Sequence, residues 1–150
     1  MNIDFETEKK MMVSVSKRLD KLPEYVFEWY KTLKQSNKTE TSCYDYIKAI
    51  EKFLTYINED AKEVELKDIT LQACESYMIS CETKTSNNGM ITNTSDSSKL
   101  DTWCILNNFM KFLSKSNYIE YNYMDKIERP KNNDLNRINK NRVYLTKRDD

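Results

Sequence analysis

A single Gly and two Pro stand in 150 residues. Tight turns in sheet proteins draw heavily on both, because glycine supplies positive φ and proline fixes φ near a turn value. A chain this poor in turn residues is predicted to build its core from helices. The material for that core is present: 39% of the residues are apolar, with ten Tyr, five Phe and two Trp. A chain of this length forms one domain and buries roughly 70% of its unfolded surface.

Helical periodicity places the elements. Leu22, Val26, Trp29 and Leu33 recur on one face of a helix over about 22–36, and Pro23 suits its first turn. Cys43, Tyr46, Ile47, Ile50, Phe53, Leu54 and Ile57 form a wide stripe over 41–57, with Thr39, Thr41 and Ser42 crowding its start as candidate caps. Asp68-Ile69-Thr70 reads as a lead-in turn and cap for a short third helix, 71–81. Residues 82–98 carry the one Gly and few apolar side chains, which predicts a long loop. A fourth helix over 98–116 presents Leu100, Trp103, Leu106, Phe109, Met110 and Leu113, with Ser98 and Asp101 spaced as a capping box. A fifth turn from Asn122 buries Met124 and Ile127, and Pro130 ends helical structure. Residues 1–20 form an ambiguous lead segment that either packs on the core or frays. Everything after Pro130 is polar and basic and reads as a flexible linker.

Several chemistries are excluded. The chain has no His, which removes Ser-His-Asp, Cys-His and HExxH catalysis. Cys43, Cys74, Cys81 and Cys104 form no CxxC pair and read as buried free thiols of a reducing compartment. No metal site and no cofactor are expected. No apolar run is long enough for a membrane span, and the acidic start is no secretory signal, so a cytoplasmic protein is expected.

Net charge is zero, unlike a uniformly basic nucleic-acid binder, but the charge is unevenly distributed. Residues 54–82 hold two Lys and seven acids, whereas 126–148 hold eight Lys/Arg and two acids. The second segment is a local anion-binding candidate beside its plainer reading as a solvated tail.

In order, these segments resemble the N-terminal core-binding, SAM-like domain of tyrosine recombinases, the phage integrases. Ser42, Tyr46, Ile50 and Phe53 follow the family's second helix. Ser97, Ser98 and Lys99 through Phe109, Phe112 and Leu113 follow its fourth. "NYMDKIERPK" resembles the segment after that helix, and "VYLTKRDD" resembles the turn into the catalytic domain. The likeness spans about residues 22–148.

The resemblance implies an all-α, four- to five-helix orthogonal bundle of two crossed hairpins over 21–130. Residues 131–150 would be an interdomain linker and the start of a catalytic domain that carries all the chemistry. No residue here is assigned a catalytic role. The resemblance implies duplex DNA as partner, with other recombinase protomers on it, and no small-molecule ligand. Carried over, the DNA-contacting residues are Lys38, Thr39, Thr41, Ser42, Tyr44 and Lys48 from the second helix. The fourth helix offers Ser97, Ser98, Lys99 and Thr102; the linker offers Lys131, Arg137, Lys140 and Arg142. Each has an ordinary reading as well: the hydroxyls as caps, Tyr44 as an exposed aromatic, Lys48 and Lys52 as solvated cations. Asp101, Asn107 and Asn108 stand where the family often carries basic residues. The competing function is a helical protein–protein interaction module.

Overall fold

A computed structural model describes residues 5–132. Five helices form an all-α bundle: α1 Phe5–Leu19, α2 Glu24–Gln35, α3 Glu40–Ile57, α4 Leu71–Ser80 and α5 Asp96–Lys115. Three 3-10 turns, Ala61–Glu63, Leu66–Asp68 and Tyr123–Lys126, fill the connections. Between α4 and α5 lies a small antiparallel ribbon, β1 Thr83–Thr85 and β2 Ile91–Asn93.

Two sequence-based expectations need correction, and one left open is decided. Within the lead segment, Phe5–Leu19 packs rather than frays: α1 is a 15-residue helix lying along α3. Its inward positions, Glu8, Met11, Val15, Arg18 and Leu19, keep helical spacing but mix charge with apolar groups, so apolar periodicity alone does not reveal it. The expected loop at 82–98 contains the ribbon and the first turn of α5. Strands of three residues are too short to show alternation in the sequence. The fourth helix also begins two residues earlier than expected. Ser95 is its cap, accepting from the Ser98 N–H at 3.2 Å. Ser98 therefore stands inside the first turn, and its pairing with Asp101 as a capping box does not form.

The shortage of glycine is met by asparagine. Asn37 after α2 and Asn117 after α5 take φ of 65° and 63°, the left-handed region that ends helices. The next residues close the motif, Lys38 N–H to Leu33 O at 3.3 Å and Tyr118 N–H to Leu113 O at 2.9 Å. Asn tolerates this region better than other L-residues because its short polar side chain bonds locally. The single glycine, Gly89, has φ 84° in the ribbon turn.

The core is aromatic. Trp29, Phe53 and Phe109 are fully buried. Trp29 meets Phe109 edge-on at 5.0 Å between centroids, and Phe53 meets Tyr77 at 5.2 Å. Each such side chain contributes roughly 1.5–3 kcal/mol by leaving water, and edge-to-face geometry adds about 1 kcal/mol. Thr39 and Thr70 cap α3 and α4 by accepting from the Ser42 and Ala73 N–H groups, both at 3.1 Å. Trp103 is half-buried at the core's margin, where its indole N–H donates to the Ile127 carbonyl at 3.1 Å. That bond pins the chain beyond Met124 against α5.

Candidate nucleic-acid interface

The α3 start is more acidic than its hydroxyls suggest. Unpaired N–H groups at a helix start attract anions, but here two of them have side-chain partners. The Glu40 N–H donates to the Glu8 carboxylate of α1 at 2.9 Å, and the Ser42 N–H donates to Thr39. Glu40 itself is buried, at 2% exposure. Its carboxylate accepts from the Tyr30 hydroxyl at 2.8 Å and pairs with Lys34 at 2.9 Å. The bond to Glu40 raises the Lys34 pKa. Burial, reinforced by the Glu40 bond and charge, raises the Tyr30 phenol. An arriving phosphate would meet two carboxylates here.

The other α3 candidates divide. Thr41 and Lys48 are exposed on the outer face. Lys38 is half-buried, its ammonium 4.8 Å from the centre of the Tyr46 ring. Tyr44 is not a bare exposed aromatic. Arg18 of α1 donates to its hydroxyl at 3.1 Å and lies over its ring at 5.0 Å. The same guanidinium pairs with Glu51.

At the α5 start, Ser97 is exposed. Ser98 accepts from the Ser95 hydroxyl at 3.0 Å, and Thr102 donates back to the Ser98 carbonyl at 3.1 Å. Lys99 stands 3.4 Å from Asp96. Beside them a groove of about 590 Å³ runs between α4, the α5 start and residues 126–131. It brings together Lys99 and Lys131, nominated from distant parts of the sequence, and adds Lys126 and Arg129. Glu75, Glu82, Asp96 and Glu128 line it too, with Met78, Ile79 and Ile127 supplying apolar wall. Lys126 and Arg129 stand at the head of the basic segment 126–148, whose positive balance is their only signal in the sequence. Arg137, Lys140 and Arg142 lie outside the described residues, as does the "VYLT" turn.

The two groups sit toward opposite ends of α3. Thr39 caps its start, while Phe53 and Tyr56 near its end contact Tyr77 of α4, and the turn after Tyr77 lines the groove. About 20 Å of helix separates them at 1.5 Å per residue.

Comparison with protein-family models, curated protein sequences and solved structures finds no match. Functional meaning therefore rests on side-chain chemistry. Among the described residues no helix is long and apolar enough to cross a membrane, and no three of Cys, Asp and Glu are grouped to hold a metal ion.

Asn107 and Asn108 have structural partners. The Asn107 side-chain oxygen accepts from the Asn122 side-chain amide at 2.8 Å, and the Asn108 side-chain oxygen accepts from the Trp29 indole at 2.9 Å. Both side chains join α5 to neighbouring elements, which gives a packing reason for the missing charge.

Proposed function

We propose that this chain is a DNA-contacting domain of the core-binding type found in tyrosine recombinases. It would hold duplex DNA while strand breakage and rejoining belong to another domain. The observation that carries this reading is the meeting of Lys99, Lys126, Arg129 and Lys131 at one groove beside the exposed Ser97. Cations that reach phosphates neutralise them and release counterions, the main sequence-independent source of DNA affinity; of the four, Lys99 is already paired with Asp96. The all-α bundle agrees with the reading. The α3 start contributes less to it, because Glu8 and Glu40 occupy the anion position; Lys48 and Thr41 remain as its outward contacts.

A second reading has its own support. The groove balances its four cations with four carboxylates, and Ile79 on its wall is 68% exposed. Mixed charge around apolar side chains suits a protein partner.

Salt dependence separates the two. Duplex binding followed by fluorescence anisotropy should weaken with salt, log K falling against log salt with a slope near −4 to −5 if about five phosphates are contacted. Absence of duplex binding at about 20 mM salt, where this contribution is large, would leave the protein-partner reading standing alone.

A further inference from the structure

The ribbon between α4 and α5 is exposed on both faces. Every residue from Glu82 to Asn93 is solvent-exposed, so neither β1 nor β2 is buried against the helices. The register pairs Thr83 with Asn93, Lys84 with Thr92 and Thr85 with Ile91. Alternation places Thr83, Thr85, Ile91 and Asn93 on one face and Lys84 with Thr92 on the other.

An isolated two-stranded ribbon is marginal in water, yet this one is well closed. Thr94 N–H bonds the Glu82 carbonyl at 2.9 Å at its base. At its tip, Ser86 N–H bonds the Met90 carbonyl at 2.8 Å, and the Asn88 side chain accepts from Met90 N–H at 3.1 Å. The tip carries Met90 and Ile91, 60% and 69% exposed. Residues 83–95 contain one Lys and no Asp or Glu, in a chain with 24 acids. The remaining polar side chains are hydroxyls and amides. The ribbon springs from Glu82 and returns before Asp96, both on the rim of the groove that gathers Lys99, Lys126, Arg129 and Lys131.

We infer that this ribbon enters a groove of the duplex held by the body of the domain. Met90 and Ile91 contact or wedge the bases, and Lys84 takes a phosphate. The inference rests on the DNA reading above. Its physical basis is fit and charge: β-ribbon proteins place strands in the minor groove, where apolar Ile and Met side chains serve as wedges between base steps. From Thr83 to Ser95 the ribbon carries no carboxylate to oppose the phosphate field, while Glu82 and Asp96 flank its base. Hydroxyls and amides suit sugar, phosphate and base edges.

The test uses the whole chain and two variants, Met90→Ser/Ile91→Thr and Lys84→Ala. All three side chains stand in water, so the fold should survive, and circular dichroism checks that. The apolar double variant should bind duplex at least fivefold more weakly with an unchanged salt slope. Lys84→Ala should flatten the slope by about 0.9. A 2-aminopurine duplex should brighten with the parent chain and not with the double variant. If the parent binds DNA in a salt-sensitive way and the double variant binds equally well, the ribbon inference is wrong and the DNA reading stands. If the parent binds no duplex, both fall. If the double variant instead abolishes self-association and leaves DNA affinity intact, the ribbon is a contact between copies, and the inference is overturned.

Discussion

Trp29 and Asn108 are joined across 79 positions of sequence by one hydrogen bond, indole N–H to amide oxygen at 2.9 Å. The bond fixes α2 against α5 at the point where Trp29 also meets Phe109 and stacks on Tyr46 at 6.1 Å. Sequence periodicity predicts that Trp29 is buried. It does not predict which helix supplies the acceptor for its N–H.

Two substitutions weigh these parts. Trp29→Ala should cost about 3–5 kcal/mol, the range for emptying a large aromatic site. Asn108→Leu should cost about 1–3 kcal/mol, because the fully buried Trp29 loses its acceptor. Urea denaturation followed by far-ultraviolet circular dichroism measures both. A loss below about 0.5 kcal/mol for Asn108→Leu, the size of an ordinary surface change, would mean that the bond is not structural.

Glu40 provides a second test. Its carboxylate is buried but its partner Lys34 is partly exposed, with side-chain exposures of 2% and 36%. Loss of either partner should therefore be unequal. Glu40→Gln keeps shape and an acceptor for Tyr30 and frees an ammonium that reaches water, at about 1 kcal/mol. Lys34→Met strands the carboxylate and should cost more, about 2–4 kcal/mol. Equal costs in thermal melts would contradict this asymmetry.

What the sequence disclosed follows from how each element is held. The stripe of α3, the Thr70 cap of α4 and the apolar face of α5 are periodic apolar patterns bounded by hydroxyls, and they stand where expected within two residues. The attachment of α1 is partly polar: beside buried Val15, Glu8 bonds a helix N–H and Arg18 reaches Glu51 and Tyr44. Such contacts pair residues far apart in sequence, and no local spacing encodes them. Glu40 likewise looks like a surface acid until Tyr30 and Lys34 close over it. Among the candidate DNA contacts, the convergence of Lys99 and Lys131 was hidden because it depends on the Trp103–Ile127 bond that turns the chain back onto α5.

Alkaline pH should unfold the domain over a definite window. Burial pushes the Cys74 thiol up from 9.0 to about 12, and burial likewise raises the Tyr25 and Tyr77 phenols above 10.0. Each group is neutral when protonated, and its folded pKa exceeds its unfolded value. The stability it contributes is thus fully present below the unfolded pKa and lost as pH rises through the folded one. Stability should be level from about pH 7 to 8.5, then fall by roughly 1.4 kcal/mol per pH unit for each such proton. Cys74→Ala should make the decline shallower by about one proton's share. Urea midpoints across that pH range provide the measurement, and an unchanged slope in Cys74→Ala would remove Cys74 from the account.

The docking of α1 can be tested with two valines. Val15 is 1% exposed against α3, and Val13, two positions earlier, is 53% exposed. A helix rotates about 100° per residue, so side chains two apart point to different sides. Val13→Asp should leave stability within about 0.5 kcal/mol, as surface changes do. Val15→Asp forces an unpaired carboxylate against the core and should detach α1 at a cost of several kcal/mol. The readout is hydrogen exchange. With α1 detached, its amides lose protection, while α5 amides keep theirs if α2–α5 hold without it. Arg18→Ala should give a milder version, about 1 kcal/mol, because its guanidinium is partly exposed and its pairs are screened by water. If Val13→Asp and Val15→Asp exchange alike, α1 does not dock by this face, and the Glu8 bond to the α3 start goes with it.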